Sequence, residues 1–173
     1  MSLYIESIRI KNGKAENLEL HQERVNNTLG QKSGEGLNLK NHLEDLKLTN
    51  SGLFKWRIEY NREKIHQNQL IPYHPTTVSK IKLVEAPNLK YALKYSNREI
   101  FKRLLLQSKA DDIIITQKGV ITDASYANVF FWNGVQWETP STPLLNGTQR
   151  RLILNRKLAV EKKIHLNDIK QYF

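Results

Sequence analysis

The ten residues TPLLNGTQRR (Thr142–Arg151) decide how the second half of the chain is read. A proline and two leucines lead into Asn146-Gly147, and two arginines follow. Asn-Gly is a tight-turn signal, because glycine accepts backbone angles that other residues resist. From Thr148 onward Leu152, Ile153 and Leu158 recur on one face at helical spacing, so the turn feeds a helix N-terminus. The first amides of a helix have no intrahelical partner, and the dipole is positive at that end. Such a turn suits an anion, a phosphate above all. Read locally, the same residues serve equally well as a helix cap, with Thr148 near the N-cap. The choice rests on the rest of the chain.

Working outward, the bounds are those of a small α+β protein. The 173 residues make one or two small domains with room for a core. An apolar share of 39% beside 25% charged residues fits a soluble globular chain. No run of about 18 apolar residues occurs, so no membrane span is expected. The start, MSLYIESIRIKNG, lacks the basic and apolar regions of a signal peptide. With no cysteine there is no disulfide framework, no Cys-based zinc site and no thiol nucleophile, and the expected location is cytoplasmic. His21, His42, His66, His74 and His165 are dispersed without metal-ligand spacing, so no metal is expected. The net charge of +10 raises nucleic-acid binding as a rival reading. Lys and Arg are scattered among acids rather than gathered in a tract, and no nucleic-acid signature appears. Such a chain attracts anionic small molecules or phosphate-bearing cofactors equally well.

Residues 3–10 read as a strand closed by a turn at Asn12-Gly13, then a helix ending at Gly30 and a loop over 31–36. LNLKNHLEDLKL reads as an amphipathic helix. GLFKWRIEYN and KIHQNQLIPY read as a hairpin around Asn61-Arg62-Glu63, and 78–86 as a further strand. SNREIFKRLLLQSKA reads as a helix and DDIIITQKG as an apolar strand with a turn at Lys118-Gly119. A strand is expected at 127–132, another in VQWETP, and a helix over 148–163. The domain boundary is expected near Pro87, giving a small N-terminal domain, 1–85, and a C-terminal domain, 86–173.

Three further sites carry possible chemistry. Lys94 lies among Tyr91, Leu93 and Tyr95 just before a helix; a lysine in apolar surroundings has a depressed pKa and is a usable amine nucleophile. Any one lysine of so lysine-rich a chain is also an ordinary solvated charge. Asp123 and Asn128, in TDASYANVFF, are common turn residues, yet a carboxylate beside a pyridine nitrogen keeps that ring protonated and makes it an electron sink. Arg24, on the early helix, is either a surface charge or a planar fork for a phosphate.

The order of these segments resembles the class IV aminotransferases, the fold-type-IV pyridoxal 5'-phosphate (PLP) enzymes. That family includes branched-chain and D-amino-acid aminotransferases and aminodeoxychorismate lyase. ESIRIKNGKAENLELHQERV is similar to its E-[ST]-I-R strand followed by an HxxR helix. LKYSNR resembles its catalytic-lysine segment, most of all in the lyase branch. ITDASYANVFFWNG is similar to an acid, four residues, then Asn-x-Phe, and TPLLNGTQRR to its glycine-containing phosphate loop. The resemblance spans most of the chain, loosely over 31–75. It implies two small α/β domains in a homodimer, PLP as cofactor, and a small amino compound as substrate, handled by transamination or by lyase chemistry. It implies that Lys94 joins the cofactor covalently and carries the proton at the substrate's α carbon. Asp123 would face the ring nitrogen. Arg24, Gly147 and the amides of Thr148 and Gln149 would hold the phosphate. Asn128 would support the pocket, and Tyr126 or Tyr95 would line it. Arg9 and Arg57 are candidates for the substrate's carboxylate. Most family members carry Glu at the position of Asp123, and many aminotransferases Thr at that of Gln149. Members usually run well past the equivalent of Phe173, so either a reduced version or a chain that stops short of the natural end is expected, and an inactive PLP-binding relative is the alternative function.

Overall fold

The computed structural model describes residues 2–32 and 35–172. The chain forms two compact units, one of 1–76 with 93–97, the other of 77–92 with 98–173.

In the first unit, β1 (Tyr4–Lys11) alternates as a half-buried strand should, and sends Glu6, Ile8 and Ile10 to one fully buried face. The turn at Asn12 and Gly13 leads into β2 (Lys14–Ala15). Helix α1 (Leu18–Leu29) ends where expected: Gly30 takes the left-handed conformation, φ 65°, and its amide donates to the Asn26 carbonyl. Helix α2 (Leu39–Glu44) starts at Asn38, whose side chain accepts from the Lys40 amide. β3 (Leu53–Tyr60) and β4 (Ile65–Pro72) form the expected hairpin. The Asn61 side chain shapes its turn by accepting from the amides of Glu63 and Lys64, both at 2.9 Å. The antiparallel sheet has the order β2-β1-β3-β4. Ile8, Ile10, Trp56, Ile58 and Tyr60 pack against Val25, Leu29 and Leu39 of the helices to form the core.

The second unit holds two small sheets. β5 (Ile81–Glu85) runs parallel to β6 (Asp112–Gln117), and β6 is antiparallel to β7 (Val120–Ala124). A parallel pair needs a crossover, and α3 (Glu99–Ser108) lies within it. In the other sheet β8 (Phe131–Trp132) is antiparallel to β9 (Trp137–Pro140), which is parallel to β10 (Ala159–Lys162). Its crossover is α4 (Thr148–Asn155). Ile114, Ile121 and Ile164 form a core cluster with Phe131, Ile169 and Tyr172 against it, and a 3₁₀ turn spans Leu166–Gln171.

Two expected elements move. The strand expected at 127–132 is confined to Phe131–Trp132, while Val120–Ala124 is a strand in its own right, the hairpin partner of β6. The helix expected over 148–163 ends at Asn155, because the chain must return alongside β9. Lys157 takes a left-handed φ of 55° to make that reversal.

The first unit's core rests on β1, so Ile8→Ala should lower stability by about 2–5 kcal/mol. Urea unfolding should show the midpoint falling with its slope unchanged.

Candidate active site

In the second unit a single side chain joins two separate segments. Asp123 sits near the end of β7 and Asn128 bridges to it across the turn Ala124–Ala127. The Asn128 Nδ2 donates to Asp123 Oδ1 at 2.6 Å and to the Leu145 carbonyl at 2.7 Å. Its Oδ1 accepts from the Gly147 amide at 3.1 Å. Asp123 Oδ2 accepts from the Leu145 amide at 3.0 Å. The acid, the asparagine and the turn before α4 are therefore one hydrogen-bonded body. Asp123 is 5% exposed. Burial pushes its carboxyl above the ordinary value, against the hydrogen bonds from the Leu145 amide and Asn128 and the charge of Arg150.

Gly147 is glycine for space. Its φ of −68° and ψ of 151° are open to any residue, contrary to the tight-turn expectation, and it is the N-cap of α4 in place of Thr148. A Cβ there would lie 2.2 Å from Asn128 Oδ1. Thr148 is buried as the first residue of α4, and Gln149 is exposed. No acidic residue stands in the first turn of that helix. Tyr126 is 66% exposed, with the Arg98 guanidinium 4.9 Å from its ring centre. Arg98 also donates to the Tyr91 hydroxyl at 3.0 Å and to the Ser125 carbonyl, so it braces the same turn.

In the first unit, β1 supports both Arg24 and Lys94. Glu6, fully buried, takes Arg24 in a two-pronged pair: Nε to Oε1 at 2.8 Å and Nη2 to Oε2 at 2.5 Å. His21 Nδ1 lies 2.5 Å from the same Oε2. Burial alone would raise the Glu6 carboxyl, but the bonds to Arg24 and His21 win and hold it below the ordinary value. The Lys94 carbonyl accepts from the Ile5 amide at 2.9 Å, and Tyr95 packs on Tyr4, ring centres 5.4 Å apart. Lys94 is half-buried.

Asp123, Asn128, Gly147 and Thr148 are thus brought together in one unit, and in the other Arg24, on α1, and the Lys94 backbone are each bonded to β1. The Leu145 backbone also belongs to these arrangements, as do Glu6 and Arg150, which stand within the quoted motifs but were assigned no role by sequence. Glu6 carried a signal, a lone acid in register with Ile8 and Ile10 on a core face. Among the described residues no cluster of His, Cys, Asp and Glu could hold a metal, and no helix is long and apolar enough to cross a membrane.

A sequence model of the family described as amino-transferase class IV matches residues 4–172. An uncharacterized protein of Haemophilus influenzae is 35% identical over 169 residues, 95% of this chain and 89% of that one. A solved chain from Haemophilus somnus, provisionally assigned as a 4-amino-4-deoxychorismate lyase, matches with a TM-score of 0.87 at 31% identity. The match covers 100% of this chain and 93% of that one. A Mesorhizobium loti chain, provisionally assigned as an amino-acid aminotransferase, has a TM-score of 0.79 at 19% identity over 99% and 91%, and speaks for the fold alone. Other matching chains are longer, this one covering 70% to 76% of them. The expected α+β fold of the type-IV PLP enzymes, short beside the longer members, is the one observed.

Two outcomes follow from the contacts. Gly147→Ala should cost about 1–3 kcal/mol of stability, and clearly less in an Asn128→Ala background, a non-additivity that denaturant unfolding can read. The depressed Glu6 carboxyl gives stability that is fully present above its unfolded-state value, about pH 4.3, and is lost as pH falls through its lower folded-state value. Glu6→Gln should therefore flatten the fall in stability below that pH in an acid titration followed by circular dichroism.

Proposed function

We propose a function from the premise that the chain belongs to the class IV aminotransferase family. It is a PLP-dependent enzyme acting on a small amino compound, with lyase chemistry of the aminodeoxychorismate type. The similarity to the Haemophilus somnus chain and the lyase-like segment LKYSNR favour that chemistry. The observation that carries the reading is the Asp123–Asn128–Gly147 network, which ties a buried carboxylate to a turn opening a helix with no acid of its own.

The residues present fit the cofactor. A carboxylate disfavoured by burial gains from a cation beside it, and a protonated ring nitrogen is one. The absence of a side chain at Gly147 lets the Asn128 carboxamide close on the turn and fix the backbone from which the amides of α4 start. The phosphate would be held by the amides of Thr148 and Gln149 at the positive end of α4, with Arg24 as its charged fork. When bound, PLP supplies an electron sink for bond breaking at the substrate. Lys94 would hold it covalently and, once the substrate's amine has displaced the lysine, its freed amine would take and return the proton at the substrate's α carbon. Asp123 would face the ring nitrogen, whose proton would favour the ionised carboxylate against burial. Asn128 keeps Asp123 and the phosphate turn in fixed relation, and Tyr126 stands at the rim. The assembly is a homodimer, as is usual for the family.

Protein incubated with PLP and reduced with borohydride should carry the pyridoxyl group on Lys94 by peptide mapping, and Lys94→Ala should carry none. An adduct on another lysine, or persisting in the variant, rejects the assignment of Lys94. The enzyme should then release pyruvate from 4-amino-4-deoxychorismate; amino transfer to a 2-oxo acid without pyruvate release would make it a transaminase.

A further inference from the structure

We infer that Arg150 is a positioning residue of the turn before α4: from a buried seat it fixes Asn146, and with it the aim of the amides that follow toward an anion. This rests on the PLP reading above and adds a residue to it.

The placement of Arg150 is unfavourable unless the guanidinium is needed. It is the third residue of α4, where the helix dipole opposes a cation, and it is 3% exposed. Its Nε is buried without a hydrogen-bond partner. Its acidic partner, Glu161 on β10, is half exposed, so water weakens that pairing. An apolar side chain would fill the same space without these penalties.

The fork does what an apolar chain could not. Nη1 donates to Asn146 Oδ1 at 3.0 Å, while Nη2 donates to the Pro140 carbonyl at 2.8 Å and to Glu161 Oε1 at 2.5 Å. One planar group therefore ties the end of β9 to the turn. Asn128 holds the neighbouring residues, through the Leu145 carbonyl and the Gly147 amide. Residues 145, 146 and 147 are each fixed, the middle one by Arg150. The charge of Arg150 also reaches Asp123 and favours its ionised form against burial. A cation that steadies the turn thus also acts on the carboxylate.

The test compares PLP with pyridoxal, which lacks the phosphate. Dissociation constants are read by tryptophan fluorescence for the unaltered protein, Arg150→Lys and Asn146→Ala, with thermal unfolding alongside. Lysine keeps the charge and loses the fork. Loss of one charge-assisted bond should weaken PLP about tenfold or more and leave pyridoxal within about twofold. Asn146→Ala, which removes only the acceptor, should move the ratio in the same direction. If Arg150→Lys fails to fold, Asn146→Ala decides alone. An unchanged ratio of PLP to pyridoxal affinity, or an equal weakening of both, overturns the inference while the PLP reading stands. If the unaltered protein binds neither compound, both fall.

Discussion

The carboxamide of Asn128 is the joint on which the second unit's site depends. Asp123 belongs to one sheet and Leu145–Gly147 to the run into α4, and neither segment is bound to the other by strand pairing. A carboxamide offers both donors and an acceptor, and Asn128 spends them on the acid, a carbonyl and an amide. Each such bond contributes only about 1 kcal/mol net, but leaving a buried partner unmade costs about 1–3 kcal/mol. The loss of Asn128 would take the side-chain donor from Asp123 Oδ1 and from the Leu145 carbonyl together, leaving the carboxylate only its backbone partners. Glycine at 147 is the condition for this joint, since the side-chain oxygen occupies the volume of a Cβ.

The first unit shows the same economy in another form. β1 is an apolar strand carrying one acid on its core face, and that acid is tolerated because Arg24 and His21 meet both its oxygens. A buried pair of this kind is poor evidence of stability but good evidence of fixed geometry. The Arg24 guanidinium is clamped along one edge, which limits its rotamers. One residue earlier on the strand, the Ile5 amide holds the Lys94 carbonyl. The arginine proposed for the phosphate and the lysine proposed for the aldehyde of one cofactor are thus referenced to adjacent residues of a single strand.

Much of the fold was legible because its signals are local. Alternation in 3–10, the Asn61 turn, Gly30 as a helix stop and the apolar run of 112–117 each act within a few residues. The elements that moved lacked such a signal. Asp123 and Asn128 read as turn residues, which hid that Asp123 still belongs to β7. Leu158 continued the helical period and no glycine or proline marked the stop, so the reversal at Lys157 could not be read. The family came from the order of four short motifs. What that order could not supply is why each residue stands there: the partner of Gly147 is 19 residues away, and that of Arg24 is 18. Arg150 stood in the opening stretch, yet its buried position follows only from the β9–α4–β10 crossover.

In the proposed enzyme one hydrogen-bonded network in the second unit receives both ends of PLP, the ring nitrogen at Asp123 and the phosphate at the turn before α4. A crystal structure of the protein grown with PLP tests it most directly. The ring nitrogen should lie within about 3 Å of an Asp123 oxygen, and phosphate oxygens at the same distance from the amides of Thr148 and Gln149. A cofactor bound with its phosphate away from that turn, or with its ring nitrogen facing a group other than Asp123, would contradict it.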